Sequence, residues 1–408
     1  MKKFLLFAVA ITMVVSSCKK DDTDVNPDSG KLPPLPDKED VCSAMDDDVF
    51  KNYCYDNFDT NKDGKISEQE YNAVKTINCN RLLILSFKGI EYFANLETFS
   101  CEKNIEIKEI DLSHNNRITT ISDSAFRDCI SLTSVKIPDS VVTIGKSAFN
   151  SCDGLTGITI PDSVTTIDDF AFYYCRMLTA INIPGGVTKI GRSAFLGCFA
   201  LTSITIPDSV MSMDNDAFRY CKGLTAFYGK YASADNRSLV VDGTLVAFAR
   251  AGLTEYTIPE NITVIDKEVF SFCDGLTGIT IPEGVTMLDV GAFSNCTGLT
   301  DVTIPDSVTT IDNNAFGGCE GLTSITIGSG GTTIRGFAFV SCPNLTSVYC
   351  KATTPPALGE RVFQYYNGSE YKNNACPIYV PRASVDAYKS AASWSDYSSQ
   401  IVAYDFRK

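Results

Sequence analysis

Apolar residues recur along most of this chain at a fixed interval of 23 positions. Phenylalanine and cysteine carry the signal most clearly, because each keeps the same place in successive units. The phenylalanines are Phe126, Phe149, Phe172, Phe195, Phe218, Phe270, Phe293, Phe316 and Phe339, and the cysteines are Cys129, Cys152, Cys175, Cys198, Cys221, Cys273, Cys296, Cys319 and Cys342. Self-similarity at such a period predicts a stack of equivalent structural units.

A single unit, residues 201–221 (LTSITIPDSVMSMDNDAFRYC), shows how each coil is expected to fold. The alternation in Ile204-Thr205-Ile206 predicts a short strand with one buried side, and Pro207 ends it by removing a backbone donor. Phe218 and Cys221 have the spacing of one helical turn, so we expect both to point back into the same core. One unit cannot cover its own apolar side and must stack on copies of itself.

From about Leu132 onward, these units resemble the BspA-type leucine-rich repeats of bacterial surface proteins. The resemblance implies a leucine-rich repeat solenoid with parallel short strands and with loops or short helices on the convex side. Known family members act as adhesins and as matrix- or cell-binding proteins. The resemblance therefore implies a binding function without naming the partner.

Interruptions of the 23-residue repeat mark the boundaries between the segments of the chain. Residues 79–350 are assigned to the solenoid, which begins with shorter units and is interrupted at 227–256, where Asp242-Gly243 between two apolar runs predicts a β-hairpin. After residue 350 the repeat ends, and residues 351–408, with a strand and a helix predicted from Ile378, form an expected C-terminal cap.

The first residues have the features of an export signal. Residues 1–17 join a basic start to a short apolar run, and the sequence ending in Cys18 resembles the lipobox of bacterial lipoproteins, which predicts lipidation of that cysteine. The alternative is an ordinary secretory signal with a chance cysteine. Residues 18–40 are polar and proline-rich, so we expect a disordered tether. The charges of residues 19–22 resemble signals that carry lipoproteins to the outer face of the outer membrane.

Within a predicted helical segment at 41–78, the sequence DTNKDGKISEQE (residues 59–70) matches the twelve-residue EF-hand calcium loop. The predicted ligands of one Ca²⁺ ion are Asp59, Asn61, Asp63, Lys65 through its carbonyl, Ser67 directly or through water, and Glu70. A lone site outside the cell is expected to bind weakly, with a dissociation constant of roughly 10⁻⁴ to 10⁻³ M. The alternative is a polar turn with vestigial ligands.

The chain has 16 cysteines. The nine in the repeats are expected to form a ladder of buried thiols, because stacked coils point equivalent side chains in parallel and a disulfide needs converging ones. Pairing of Cys42, Cys54, Cys79 and Cys101 is left open. Cys350 and Cys376 bracket an irregular loop and are the best disulfide candidates, with free thiols as the alternative.

Net charge and composition argue against two classes of function, nucleic-acid binding and histidine-based catalysis. The net charge of −14 argues against nucleic acid as a partner, since no basic patch is available to displace counterions from phosphates. The single histidine, His114, leaves little material for histidine-based catalysis, so we expect a non-enzyme.

We therefore expect the protein to be a monomer that binds a host or matrix protein. The alternative is an accessory lipoprotein that captures surface glycans or has a structural role. Outward strand positions carry small residues, whereas Tyr228, Tyr231 and Arg237 lie in the interrupted coil and are the candidate partner-binding residues. The competing interpretation is that these bulky side chains fill the core of an irregular coil.

Overall fold

Each 23-residue unit forms one coil with two short strands, and successive coils stack in parallel. The structure is a computed structural model that describes residues 32–331, 333–366 and 368–406. The signal sequence, Cys18 and the first part of the predicted tether lie outside the described residues. The solenoid predicted from the 23-residue period is confirmed.

The first strand of each repeat coil comes from the Leu-x-x-Ile-x-Ile pattern. Together with two strands of the C-terminal cap, these strands line one side of the stack, which we call the front sheet although its hydrogen-bonded ladder is interrupted between several coils. Its strands are Glu109–Asp111, Ser134–Lys136, Gly157–Ile158, Ala180–Ile181, Ser203–Ile206, Ala226–Gly229, Glu255–Thr257, Gly278–Thr280, Asp301–Ile304, Ser324–Ile327, Ser347–Cys350, Ile378–Pro381 and Ile401–Tyr404. The parallel register pairs equivalent positions, for example Thr303 with Thr326 and Thr326 with Tyr349.

The second strand of each repeat coil comes from the Val-x-x-Ile pattern and builds a back sheet, which is divided into two hydrogen-bonded parts between Ser212–Met213 and Thr244–Phe248. Its strands are Thr120–Ile121, Thr143–Ile144, Thr166–Ile167, Lys189–Ile190, Ser212–Met213, Thr244–Phe248, Val264–Ile265, Met287–Leu288, Thr310–Ile311, Thr333–Ile334 and Ala357–Leu358. Two earlier strands, Thr76–Asn78 and Thr98–Ser100, pair with each other in parallel. They contribute the shorter units predicted at the N-terminal start of the stack.

The third side of each coil is made of turns and not of helices. Cys152 N–H donates to the Phe149 carbonyl at 3.2 Å, which is a turn bond, while Phe149 N–H donates to Ala171 of the next coil at 2.8 Å. Ser147 and Ser151 have positive φ of 55° and 58°. Of the two forms predicted for the convex side, loops are present, because alternate residues here bond the neighbouring coil and cannot continue a helix. Phe218 and Cys221 are both buried, as predicted.

The core is a column of stacked phenylalanine rings lined by buried aliphatic side chains. Ring centroids of Phe149 and Phe172 lie 5.2 Å apart with planes 5° from parallel, and those of Phe172 and Phe195 lie 5.3 Å apart at 4°. Both rings of each pair are fully buried. The apolar repeat positions therefore form the continuous core that the spacing predicts.

The insertion divides this core into two clusters. One ends at Ala249 and the other begins at Leu245. Between them Ser238–Val241 pairs antiparallel with Thr244–Phe248, which confirms the hairpin, and both turn residues, Asp242 and Gly243, have positive φ. Positive φ at both positions is the requirement of a type I′ turn.

The N-terminal segment packs on the first coils. It contains the 3₁₀ helix Val41–Ala44 and the helices Asp48–Phe58 and Glu68–Ala73, and a further 3₁₀ helix, Ile90–Tyr92, follows. Asp47 caps the first α-helix through Phe50 N–H at 2.8 Å, and its other oxygen accepts from Leu85 N–H. Leu32 and Leu35, in the region predicted as tether, are partly buried against the same core. Contacts with the folded part thus begin before residue 40.

The C-terminal segment extends the front sheet and covers the last coil. It holds the hairpin strands Gln364–Tyr366 and Tyr371–Asn373, the α-helix Val385–Ser390 and the 3₁₀ helices Arg382–Ser384 and Ser395–Tyr397. Trp394 is fully buried and its Nε1–H donates to the Pro356 carbonyl at 2.8 Å. Tyr388 is also buried, and its hydroxyl donates to the Ala352 carbonyl. The open end of the stack is closed by these rings.

Candidate interaction surfaces

The outward side of the front sheet, which we call the front face, carries mostly small polar residues. Ser134 and Lys136 are exposed there, as are Gly157 and Thr159, while Thr205 continues the same row further along. Threonine and glycine offer little area for a partner to anchor on. The small outward positions predicted from the alternation are therefore observed.

Tyrosines interrupt this row at two places. Tyr228 stands in register with Thr205 on the neighbouring strand and is 42% exposed. At the C-terminal end, Tyr349 and Tyr379 pair across adjacent strands with ring centroids 4.8 Å apart, and Tyr404 packs edge-on against both at 5.3 and 5.4 Å. Tyr404 is 40% exposed, so this cluster presents phenol rings to solvent on the front face.

Tyr228, Tyr231 and Arg237, the three candidate residues from the sequence, have different surroundings. Tyr228 is exposed, as described above. Tyr231 is half-buried against the core, and its hydroxyl donates to the Val210 carbonyl at 3.3 Å. Arg237 Nη1 donates to the carbonyls of Ala249 and Ala251, so its guanidinium stabilises the hairpin.

Two further side chains of this coil, those of Phe227 and Arg250, stabilise the fold. Phe227 is fully buried, and its ring meets that of Phe218 edge-on at 5.9 Å. Arg250 donates to the carbonyls of Ser271 and Phe272 in the next coil. The insertion therefore brings only Tyr228 of the predicted group to the front face as an exposed ring.

The predicted calcium loop adopts a closed, hydrogen-bonded turn. Asp59 accepts from Lys62 N–H at 2.7 Å and from Gly64 N–H at 2.9 Å, and Asp63 accepts from Lys65 N–H at 2.9 Å. Gly64 has φ +81°, the conformation that a glycine allows at the sixth loop position. The oxygen atoms of Asp59, Asn61 and Asp63 have the chemistry that Ca²⁺ prefers.

Glu70, the last predicted Ca²⁺ ligand, uses both carboxylate oxygens as acceptors of hydrogen bonds within the protein. One carboxylate oxygen accepts from Thr60 N–H and hydroxyl, and the other from Ser67 N–H and hydroxyl, all between 2.8 and 2.9 Å. These bonds, led by the one from Ser67 N–H, lower the pKa of Glu70 to about 2. Ser67 and Glu70 form a capping box for the second helix. Within the described residues, no three acidic, histidine or cysteine side chains converge as a metal site.

The repeat cysteines form the predicted thiol ladder, because all nine are free and buried. Each thiol beyond the first coil of a block donates to a phenylalanine carbonyl of an earlier coil; Cys152, for example, reaches Phe126 at 3.1 Å and Cys296 reaches Phe270 at 3.0 Å. Burial raises the pKa of Cys175 to about 12. The Cys175 thiol is therefore un-ionised at neutral pH and a poor nucleophile.

Cys350 and Cys376 do not form the expected disulfide. Both are free and buried, and Cys350 Sγ lies 3.1 Å from the Tyr388 hydroxyl. The prediction is wrong because Cys350 is the last residue of a front-sheet strand and its side chain faces the buried Tyr388 of the cap. Cys42, Cys54, Cys79 and Cys101 are free and buried as well.

His114 has neighbours that match a catalytic triad in composition but not in connectivity. Its Nδ1 lies 3.4 Å from Ser113 Oγ, while Ser113 itself donates to Asp111. Asp111 also pairs with Lys136 at 2.7 Å. In a working triad the carboxylate orients the histidine. Here Asp111 binds the serine and a lysine, so His114 is not set up as a base.

Among the described residues, no helix is both long and apolar enough to cross a bilayer.

Comparison with known proteins agrees with this architecture. A model of the BspA type leucine rich repeat region matches residues 94–225 and 245–369 in six copies. The gap between the two matches, residues 226–244, overlaps the hairpin insertion. No curated protein matches.

Solved structures share the fold. A leucine rich cell surface protein from Faecalibacterium prausnitzii is 29% identical over 66% of this chain and 75% of its own, with a TM-score of 0.56. A leucine-rich repeat protein from Eubacterium ventriosum is 26% identical over 60% and 67%, with a TM-score of 0.50. The pneumococcal vaccine antigen PcpA, 18% identical over 73% and 78% with a TM-score of 0.57, supports the fold alone. Because the family model covers more than half of the chain, this protein belongs to the BspA-type leucine-rich repeat family.

Proposed function

We propose that the protein is a cell-surface adhesion module that binds a host or matrix protein through its front face. The observation that carries this proposal is the tyrosine cluster on an otherwise small and polar sheet, in which Tyr404 is exposed and Tyr349 and Tyr379 are partly exposed. Tyrosine supplies large contact area and a hydrogen-bonding hydroxyl, and binding energy at protein interfaces concentrates in such residues. The similarity to a cell surface protein supports the location.

The repeats themselves indicate that the tyrosines are not needed for folding. Thr303 and Thr326 occupy the register position of Tyr349 on the two preceding strands, and the coils pack in the same way. Tyr228 likewise replaces the equivalent Thr205. A tyrosine at these positions exposes more apolar area than a threonine does and adds nothing to the buried core. Exposed apolar area of this kind is expected at a binding surface.

The test is binding of the full chain to an array of purified extracellular-matrix proteins. A Tyr349→Thr/Tyr379→Thr variant should bind any recognised protein about tenfold or more weakly, since loss of two anchor rings removes over 1.4 kcal/mol. Thr280→Ser, on the same face, is the matched control and should bind normally. The proposal is contradicted if the array gives no saturable binding or if the double variant binds as well as the unaltered protein.

A glycan-capturing or structural accessory lipoprotein is the second candidate function. It shares the surface location and differs in the ligand. Saturable binding to polysaccharides on a parallel array, with none to matrix proteins, would favour this second function over adhesion.

We also propose that Cys18 carries the lipid that holds the protein in the outer membrane. The basic start, short apolar run and small residues before Cys18 support this proposal. Cells fed with labelled fatty acid should incorporate label into the protein, and Cys18→Ser should lose both the label and membrane retention. A labelled Cys18→Ser product would contradict the assignment.

Calcium binding remains a proposal for the loop at 59–70. Asp59, Asn61, Asp63 and the Lys65 carbonyl suit the ion, but Glu70 would have to exchange its bonds to Thr60 and Ser67. We therefore expect weak binding that stabilises the N-terminal segment. Millimolar calcium should raise the melting temperature, and Asp59→Ala with Glu70→Ala should abolish the rise. A calorimetric titration without heat would contradict calcium binding.

A further inference from the structure

A row of rings lies on the turn side, away from the front face. We call Phe170, Tyr173, Tyr174 and Phe199 the aromatic edge. Ring centroids are 5.6 Å apart for Phe170 and Tyr173, 4.6 Å for Tyr173 and Tyr174, and 5.7 Å for Tyr174 and Phe199. All four side chains are half-buried, so the row remains open to solvent.

The neighbouring coils show that the fold does not require these rings. In the preceding coil, Ser147 and Ser151 occupy the places of Phe170 and Tyr174. The next coil has Gly197 at the second place, and a Cβ there would stand 3.1 Å from Tyr174 Cγ. The glycine thus leaves room for the tyrosine ring of the coil before it.

Backbone conformation makes the aromatic residues a costly choice. Phe170 and Tyr174 have φ of 60° and 54°, in the left-handed region. Bulky side chains avoid that region, whereas glycine and asparagine adopt it readily. The same conformation occurs at the turns of other coils, for example at Ser147, Ser151 and Tyr220, so it belongs to the repeated turn.

Cations lie over the rings. Lys146 and Arg192 each lie 5.8 Å from the centroid of Phe170. Arg176 lies 5.5 Å from Tyr174, and Lys222 lies 5.7 Å from Phe199. The aromatic edge is therefore bordered by positive charge along its length, in a chain whose net charge is −14.

Two of these cations have carboxylate partners and two do not. Arg176 lies 3.7 Å from Asp153, and Arg192 lies 3.8 Å from Asp216. Within the part of the chain that the structure describes, no carboxylate forms an ion pair with Lys146 or Lys222. These two ammonium groups, at opposite ends of the row, can contact an anionic ligand, although Lys146 also interacts electrostatically with Asp168.

We propose that the aromatic edge binds an acidic polysaccharide. Sugar rings would lie on the aromatic faces, while carboxylate or sulfate groups contact Lys146 and Lys222. Three coil steps separate these lysines, which is roughly 14 Å at about 4.8 Å per strand spacing. A linear polymer with repeated charges can span this distance. The site is separate from the front face and does not depend on the protein-binding function.

The experiment measures binding of the full chain to heparin-derived and oligogalacturonate fragments, which separate sulfate from carboxylate recognition, with neutral dextran and a dT oligonucleotide as further probes. The main variant, Phe170→Ser/Tyr173→Asn/Tyr174→Ser, installs the residues of the preceding coil and should keep the melting temperature. A second variant, Lys222→Glu, copies Glu320 at the equivalent position and alters only an exposed side chain. Thr280→Ser on the front face, outside the tyrosine cluster, is the control.

We expect saturable binding of at least one acidic fragment, weakened about tenfold or more by either edge variant and by raised salt, and unchanged by Thr280→Ser. Dextran should not compete. The proposal is overturned if neither acidic fragment binds, if dextran or the oligonucleotide binds more tightly, or if both edge variants bind as the unaltered protein does. Should the triple variant misfold, Lys222→Glu decides alone.

Discussion

Replacing Phe195 by alanine should lower the free energy of unfolding by about 3–5 kcal/mol. The ring is fully buried and lies between Phe172 and Phe218, with centroid distances of 5.3 Å on both sides and planes within 4° of parallel. Neighbouring coils are fixed by backbone bonds such as Phe172 N–H to the Ala194 carbonyl at 2.7 Å. The stack therefore cannot collapse easily into the cavity, which places the cost toward the upper part of that range.

The measurement is equilibrium urea unfolding followed by circular dichroism, with native-state hydrogen exchange to detect separate unfolding of the two core clusters. Phe272→Ala is the matched control, because this phenylalanine of the turn side is 41% exposed and should cost under about 1 kcal/mol. A loss below about 1 kcal/mol for Phe195→Ala would refute the continuous ring column as the main source of stability.

The other predictions concern thiols and acid. The nine repeat cysteines should resist alkylation in the folded protein and react fully in denaturant without reductant; mass spectrometry that found them already paired would contradict the free-thiol ladder. Cys350 and Cys376 should be alkylated in the same denatured sample, whereas a disulfide-linked peptide containing both would show that the free thiols are wrong. Because the Glu70 pKa is lowered from 4.5 to about 2, its contribution to stability should be present above pH 4.5 and be lost as the pH falls toward 2. Glu70→Gln should reduce that acid dependence, and an unchanged pH profile would argue against the Ser67 and Thr60 bonds.

Periodicity was sufficient to predict the core. Phe195 and Cys198 recur at a constant interval, and only one face of a repeated coil can be buried, so their burial followed directly. The hairpin at Asp242-Gly243 could also be predicted, since its turn type depends on only these two adjacent residues.

Features that depend on contacts between coils were not predictable in this way. The spacing of Phe149 and Cys152 fits a helical turn as well as the observed turns, and only the bonds to the next coil decide between them. Tyr379 was missed because the cap departs from the repeat, so sequence spacing no longer assigns a side to each residue. Tyr349 keeps the repeat spacing, 23 residues after Thr326, and could have been assigned to the front face from the sequence. The aromatic edge could have been found by comparing Tyr174 with its equivalents in the other coils.

Hydroxyl-radical footprinting of the complex with a bound matrix protein tests the proposed front-face interaction most directly, because it reports the solvent exposure of individual tyrosines. Tyr349, Tyr379 and Tyr404 should lose reactivity in the complex, while Tyr173 and Tyr174 on the turn side should keep theirs. Protection confined to the turn side, with the front-face tyrosines as reactive as in the free protein, would contradict the account.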